Sequence, residues 1–70
     1  MQKEEFAKEL GLKVSKNREN LDWSQEKLAE MAGVDRNTIN RCENGKTVPS
    51  VFNLVKISKA LKITLEELIY

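Results

Sequence analysis

A short polar stretch in the middle of the chain carries the side chains with the clearest chemical capability. An arginine guanidinium can bind the O6 and N7 atoms of guanine through two hydrogen bonds, and an asparagine amide can bind the N6 and N7 atoms of adenine in the same way. On a helix whose buried face holds Ile39 and Cys42, four such residues would point outward. These candidate base-contacting residues are Arg36, Asn37, Asn40 and Arg41.

A polar helix face is often no more than a solvated surface, so its composition has to be weighed. Solvated faces usually mix glutamate with lysine, whereas this one holds arginines, asparagines and Thr38, with no glutamate before Glu43. This composition favours a nucleic-acid-binding face. Asp35 precedes the helix, where its carboxylate is expected to cap the first turn, although a carboxylate can also accept a hydrogen bond from cytosine.

The sequence marks helix starts in a recurring way. Three times an apolar residue precedes a capping residue, and a second apolar residue follows five positions after the first, which is the pattern of a capped helix with a hydrophobic staple. The sets are Trp23, Ser24 and Leu28; Val34, Asp35 and Ile39; and Ile63, Thr64 and Leu68. Thr64 and Glu67 add a capping box, and Ser50 marks a further start.

Helix ends and apolar spacing complete the prediction of secondary structure. Gly33 and Gly45 stand where a left-handed residue ends a helix, and Gly11 interrupts the first helix at a cost of about 1 kcal/mol relative to alanine. No segment alternates with a period of two, so we expect an all-α fold of one domain over residues 1–70. The predicted helices are Lys3–Asn20, Gln25–Ala32, Arg36–Asn44, Val51–Leu61 and Leu65–Ile69.

The second and third predicted helices form a helix-turn-helix at about residues 24–45. The turn between them is too short for an antiparallel pair and sets the helices at a steep angle. Ala29 is small where the third helix must approach, and Val34 fills the turn.

Composition excludes several classes of function. The chain has 70 residues, no histidine and one cysteine, Cys42, so histidine-dependent catalysis, a histidine-ligated metal and an internal disulfide are excluded. Glu66 and Glu67 are adjacent and cannot flank one substrate bond. We therefore expect no enzyme activity, no cofactor and no metal. The absence of a signal peptide or an apolar run of about 18 residues predicts a cytoplasmic protein without a membrane segment.

The net charge of +1 conceals an uneven distribution. Residues 1–32 carry −1, residues 33–62 carry +4 and residues 63–70 carry −2. The middle segment is therefore basic, as expected for binding an anionic polymer. Lys56, Lys59 and Lys62 share much of one helix face, where they either contact phosphates or keep the fourth helix soluble.

From about Leu10 to Leu68, the chain resembles the phage repressor and Cro-like helix-turn-helix family, also called XRE. The resemblance rests on SQEKLAEMAGV, the T-I-N-R core, the ENGK turn, PS before the fourth helix, and ISKALKITLEEL. It implies a compact five-helix, lambda-repressor-like domain that binds operator DNA as a dimer.

Carried over by position, the resemblance implies that Arg36, Asn37 and Arg41 contact bases, while Thr38 and Asn40 fall at positions used for bases or phosphates. We assign Asn40 to the base contacts. The residues assigned to the DNA phosphates are Ser24, Gln25, Thr38, Asn44, Lys46 and Thr47.

The resemblance also implies structural roles. Arg18 and Glu43 match a buried ion pair, with a phosphate contact as the alternative for Arg18. Independently of the resemblance, the staple position of Trp23 predicts that it packs at the start of the second helix rather than stacks on a nucleobase. The inward position of Cys42 predicts a core residue rather than a redox sensor, and it departs from the family, in which a larger aliphatic residue is common here.

These features predict a sequence-specific regulator that binds double-stranded DNA, represses transcription from a palindromic operator, and forms a homodimer. Leu65, Ile69 and Tyr70 leave apolar surface at the C-terminal region, which either forms the dimer contact or is buried within the monomer. The alternative function is a protein-interaction module on the same scaffold, such as an antitoxin that binds a toxin protein.

Overall fold

The computed structural model describes all 70 residues and confirms an all-α fold without strands. The helices are α1 (Lys3–Asn20), α2 (Gln25–Ala32), α3 (Arg36–Glu43), α4 (Val51–Leu61) and α5 (Leu65–Ile69). Their bounds are those predicted, except that α3 ends one residue earlier. Asn44 is the C-cap of α3, with a φ of −84° and a backbone N–H that donates to the carbonyl of Asn40.

Four of the helices begin with a side-chain cap, as the sequence predicts. The capping oxygens belong to Ser24, Asp35, Ser50 and Thr64, and each accepts a hydrogen bond from a backbone N–H of the first turn. Thr64 and Glu67 form the expected capping box, with bonds of 3.0 and 2.9 Å. These caps satisfy N–H groups that have no partner inside the helix.

Left-handed residues lie at or just after the ends of α2, α3 and α4. Gly33 ends α2 with a φ of 70°, and Gly45 follows α3 with a φ of 71°. Lys62 ends α4 with a φ of 61°, which the sequence did not predict because side chains disfavour this region. The backbone N–H of Ile63 then donates to the carbonyl of Ser58 at 3.0 Å, which satisfies a terminal carbonyl of α4.

One hydrophobic core joins all five helices. Each helix contributes its apolar face, and every buried side-chain nitrogen or oxygen has a hydrogen-bond partner. The core residues are Leu10, Val14, Leu28, Ala29, Ala32, Ile39, Cys42, Leu54, Ile57, Leu61 and Leu68. Because short helices are unstable alone, this shared core holds α2 and α3 in place.

Gly11 lies where α1 crosses the C-terminal end of α3. A Cβ atom at this position would collide with the carbonyl oxygen of Cys42 and would lie 2.8 Å from that of Glu43. The sequence identified Gly11 only as a weak point of the helix. The tertiary structure explains it, since only a residue without a side chain lets the two backbones approach this closely.

We expect Gly11→Ala to lower the free energy of unfolding by about 1–3 kcal/mol, because overpacking outweighs the helix propensity that alanine adds. Urea denaturation measures the change. Lys16→Ala, at an exposed position of α1, should stay within about 0.5 kcal/mol of the wild type. A more stable Gly11→Ala protein would show that α1 and α3 do not meet here.

Candidate nucleic-acid interface

The packing of α3 against α2 determines which of its side chains face solvent. Ile39 and Cys42 are completely buried, and Ala29 of α2 is 5% exposed where α3 crosses it. Val34 is half-buried in the turn between the two helices. The opposite face of α3 is therefore open to solvent. Its exposed residues are Arg36, Asn37, Asn40 and Arg41.

Three of these residues have uncommitted side chains. Neither guanidinium of this face, on Arg36 or Arg41, takes part in an intrachain ion pair. The Asn37 side chain makes no hydrogen bond, although its backbone N–H donates to the Asp35 carboxylate at 3.2 Å. Asp35 is therefore a helix cap, as predicted. All the donors of these three side chains are available to a ligand.

The residues predicted to contact phosphates lie at the start of α2, on α3 and in the segment that follows α3. Ser24 begins α2, and its hydroxyl oxygen accepts from the Lys27 N–H at 3.0 Å. Lys46 and Thr47 are exposed in the segment after α3, while Thr38 is half-buried. The N-terminus of α2, which carries partial positive charge, lies beside α3, because Gln25 in its first turn hydrogen-bonds to Glu43 and Asn40.

Arg18 and Glu43 form a two-point ion pair between α1 and α3. Arg18 Nε donates to Glu43 Oε2 at 2.7 Å, and Arg18 Nη2 donates to Glu43 Oε1 at 3.0 Å. A further nitrogen, Nη1, donates to the carbonyl of Trp23 at 2.6 Å. The guanidinium is thus committed to the protein on both sides, which favours its structural role over a phosphate contact.

The electrostatic setting strengthens this ion pair. The Arg18 and Glu43 side chains are only 13% and 5% exposed, so water screens their attraction poorly. The hydrogen bond to Glu43 raises the pKa of Arg18 further above its already high value, against the opposing effect of burial. Arg18 therefore stays charged at every pH at which the protein is folded.

The structure reveals a series of amide hydrogen bonds that begins at this ion pair. Gln25 Nε2 donates to Glu43 Oε1 at 2.9 Å, and Asn40 Nδ2 donates to Gln25 Oε1 at 3.1 Å. Asn44 Nδ2 then donates to Asn40 Oδ1 at 3.2 Å. Gln25 was predicted only as a phosphate contact. Its link to Glu43 gave no sequence signal, because the two residues are 18 positions apart.

Two further residues occupy the core side of the site. Trp23 is half-buried against the core at the start of α2, as its position predicts. Cys42 is completely buried. Burial, with a smaller contribution from the charge of Glu43, raises the pKa of its thiol to about 11. Cys42 is therefore a neutral core residue at ordinary pH.

The three lysines of α4 do not form a uniform row. Lys56 is half-buried, and its Nζ lies 4.8 Å from the ring centroid of Phe52, a cation–π distance. Phe52 is itself 71% exposed. Lys59 and Lys62 are exposed, and Lys62 ends the helix. The sequence did not indicate the contact between Lys56 and Phe52.

No group of three or more cysteine, aspartate or glutamate side chains is arranged to hold a metal ion. None of the helices combines the length and the apolar character that a membrane span requires.

The short turn between α2 and α3, together with the open polar face of α3, defines a helix-turn-helix DNA-binding domain. Residues 14–68 match the protein family described as Helix-turn-helix, HTH_3. The chain belongs to this family of transcriptional regulators.

Named relatives agree with this assignment. The chain is 48% identical over 59 residues to the control protein C.MunI of a Mycoplasma species, covering 83% of this chain and 80% of the relative. It is 40% identical over 58 residues to the uncharacterized HTH-type transcriptional regulator YgzD of Bacillus subtilis, covering 83% of this chain and 88% of the relative.

A solved structure of a related protein has the same fold. The restriction-modification controller protein C.AhdI of Aeromonas hydrophila is similar with a TM-score of 0.85 and 32% identity. The similarity covers 89% of this chain and 94% of that protein. These relatives carry the names of regulators rather than enzymes.

We expect Glu43→Gln to lower the free energy of unfolding by about 3–5 kcal/mol, because it leaves Arg18 charged and poorly solvated without its partner. Thermal or urea denaturation measures the loss. Glu19→Gln is the matched control: Glu19 lies 3.7 Å from Arg18 but is 67% exposed, so its loss should cost less than about 1 kcal/mol. Equal effects of the two substitutions would contradict the role given to Glu43.

Proposed function

We propose that this protein is a sequence-specific regulator that binds a palindromic operator in double-stranded DNA as a homodimer and represses transcription. The observation that carries the proposal is the open face of α3, whose guanidinium groups have no partner in the chain. In the major groove these groups can each contact guanine, and the asparagine amides can contact adenine. The proposed base contacts are Arg36, Asn37, Asn40 and Arg41.

Phosphate contacts would hold α3 in the groove. The N-terminus of α2 offers backbone N–H groups to an anion, and the segment after α3 offers the ammonium group of Lys46. Gln25 and Asn44 each keep one amide N–H that the internal hydrogen bonds do not use. The proposed phosphate contacts are Ser24, Gln25, Thr38, Asn44, Lys46 and Thr47.

Selection of bound duplexes from a random DNA pool tests this function. We expect enrichment of one palindromic motif, with half-site centres one helical turn, roughly 34 Å, apart. Arg36→Ala and Arg41→Ala should each weaken binding to that motif by about 10-fold or more and relax preference at one base pair of each half-site. Lys46→Ala should weaken binding to all duplexes alike and reduce the salt slope by about 2, which is about 1 for each copy in the homodimer.

The outcomes separate the proposed function from the alternative one. Failure to enrich any motif, or operator affinity that survives both arginine substitutions, would favour a protein-interaction module. A promoter reporter carrying the enriched motif tests repression. Its expression should fall when the wild-type protein is supplied and should be unaffected by a protein with both substitutions.

The homodimer is proposed on the apolar surface between α1 and α5. A groove of about 490 Å³ lies there, lined mostly by apolar side chains that include Phe6, Ile69 and Tyr70. Tyr70 is 89% exposed, whereas Ile69 and Leu65 are partly buried against the core. A second copy of the chain that packed against this groove would bury apolar surface that is exposed in the monomer. The resulting dimer would present two α3 helices to one duplex.

Sedimentation equilibrium in the micromolar range tests the dimer. We expect the wild type to associate and Tyr70→Lys to shift the equilibrium toward monomer by at least about 10-fold, because the substitution places a charge in the apolar contact. Phe52→Lys is the matched control, since Phe52 is an exposed aromatic residue on α4. A wild type that remains monomeric with and without DNA would refute the dimer.

A further inference from the structure

The amide series described above has a direction that elementary chemistry sets. An ionised carboxylate can only accept hydrogen bonds, so Glu43 requires Gln25 to turn its amide nitrogen inward. The Gln25 oxygen then faces Asn40 and can only accept, which requires the Asn40 nitrogen to face Gln25. The Asn40 oxygen consequently faces Asn44, whose nitrogen donates to it. The carboxylate therefore determines the orientation of each amide in turn.

A reversed Asn40 amide would be unfavourable on both sides. Its oxygen would face the oxygen of Gln25, and its nitrogen would face the nitrogen of Asn44, so both hydrogen bonds would be lost. Arg18 reinforces this asymmetry, because its Nε and Nη2 donate to the two Glu43 oxygens, which therefore both act as acceptors. The exposed amide thus takes its orientation from a buried charge.

The bonded amide still has binding capacity. Its nitrogen keeps one of two N–H groups, and its oxygen keeps one of two lone pairs. The nitrogen lies toward Gln25 at the start of α2, and the oxygen lies toward Asn44 at the end of α3. A donor and an acceptor side by side match the N7 and N6 groups of adenine. Along α3, the donor therefore lies on the Gln25 side of the amide and the acceptor on the Asn44 side.

We propose that Gln25 is a positioning residue that, held by Glu43, fixes the Asn40 amide so that the protein distinguishes an A·T pair from the reversed T·A pair. The inference rests on the proposed base contact of Asn40. In the reversed pair, the O4 acceptor of thymine takes the place of the N6–H donor opposite the amide, and the thymine methyl group takes the place of N7, so an amide held in one direction loses its hydrogen bonds. An amide free to turn over can donate to O4 and recovers part of the binding.

Docking on DNA strengthens this control. In the free protein, water competes for the exposed hydrogen bonds that join the amides of Gln25, Asn40 and Asn44. When the duplex covers this face, water is displaced and an unmatched donor or acceptor becomes more costly. The preference set by Gln25 is therefore expressed in the complex, where discrimination between base pairs occurs.

The test uses the motif enriched by the wild-type protein. Each A·T pair of one half-site is reversed in turn while the other half-site is left unchanged, and dissociation constants are measured at one salt concentration. For the wild type, reversal of one pair should weaken binding by about 10-fold, as expected for a specific amide contact. Asn40→Ala should abolish that penalty, and Gln25→Ala should reduce it to about twofold while Asn40 is still present.

Two further variants control for indirect effects. Gln2→Ala makes the same chemical change at the N-cap of α1, where the Gln2 side chain makes no capping hydrogen bond, and should keep the wild-type penalty. Asn44→Ala removes the other hydrogen bond of the Asn40 amide without touching Glu43, so it should also reduce the penalty. It provides a second test if Gln25→Ala fails to fold.

A DNA-free measurement examines the same positioning. In ¹⁵N NMR spectra of the wild type, the Asn40 side-chain amide should be ordered and show proton contacts to Gln25. Gln25→Ala should increase its mobility, while the backbone spectrum of α3 remains folded.

Three outcomes would overturn the proposal. In the first, Gln25→Ala keeps the 10-fold reversal penalty. In the second, Asn40→Ala weakens binding to every duplex alike, which would identify a phosphate contact instead. In the third, a motif is enriched, but reversing any of its A·T pairs leaves the dissociation constant of the wild type unchanged. Failure to enrich any motif is different, since it would refute the proposed function together with this inference.

Discussion

The ion pair between Arg18 and Glu43 connects the scaffold to the helix that carries the candidate base contacts. Glu43 closes the C-terminal end of α3, and Arg18 anchors it to α1 and to the backbone carbonyl before α2. The Glu43 side chain is only 5% exposed, so its charge depends on these partners rather than on water. The close approach at Gly11 brings the backbones of α1 and α3 together beside the same contact.

The carboxylate of Glu43 has a second consequence at the surface. By accepting from Gln25, it places the amides of Gln25, Asn40 and Asn44 in one connected arrangement. Arg36 and Arg41 have no such constraint. The face of α3 therefore combines hydrogen-bonded amides with guanidinium groups that have no partner in the chain. Preorganisation lowers the entropy lost on binding.

The overall charge of +1 gives little indication of this organisation. The basic excess of residues 33–62 is distributed over α3, the following segment and α4. These basic side chains do not all have the same role, because Lys56 lies over the ring of Phe52, whereas Arg36 and Arg41 are exposed and have no partner in the chain. The positive charges that matter for a nucleic-acid ligand are those without an internal partner.

The sequence by itself determined the helices and the exposed face of α3. Caps such as Ser24 and Thr64 act within one turn, and the spacing of Ile39 and Cys42 fixes the buried side of a helix. Helix starts and buried sides can therefore be predicted from neighbouring residues. Similarity to a known family extended this to the Arg18–Glu43 contact.

Only the tertiary structure decided how distant residues share space and hydrogen bonds. Gly11 appears as a helix defect until α3 is seen against it, and Gln25 appears as a free surface amide until Glu43 and Asn40 are seen on either side. The left-handed end of α4 at Lys62 likewise depends on how the chain turns into α5. Local hydrogen bonds and helical periodicity are determined by residues that are near one another in the sequence. Close backbone approach and amide orientation depend on partners that only folding brings together.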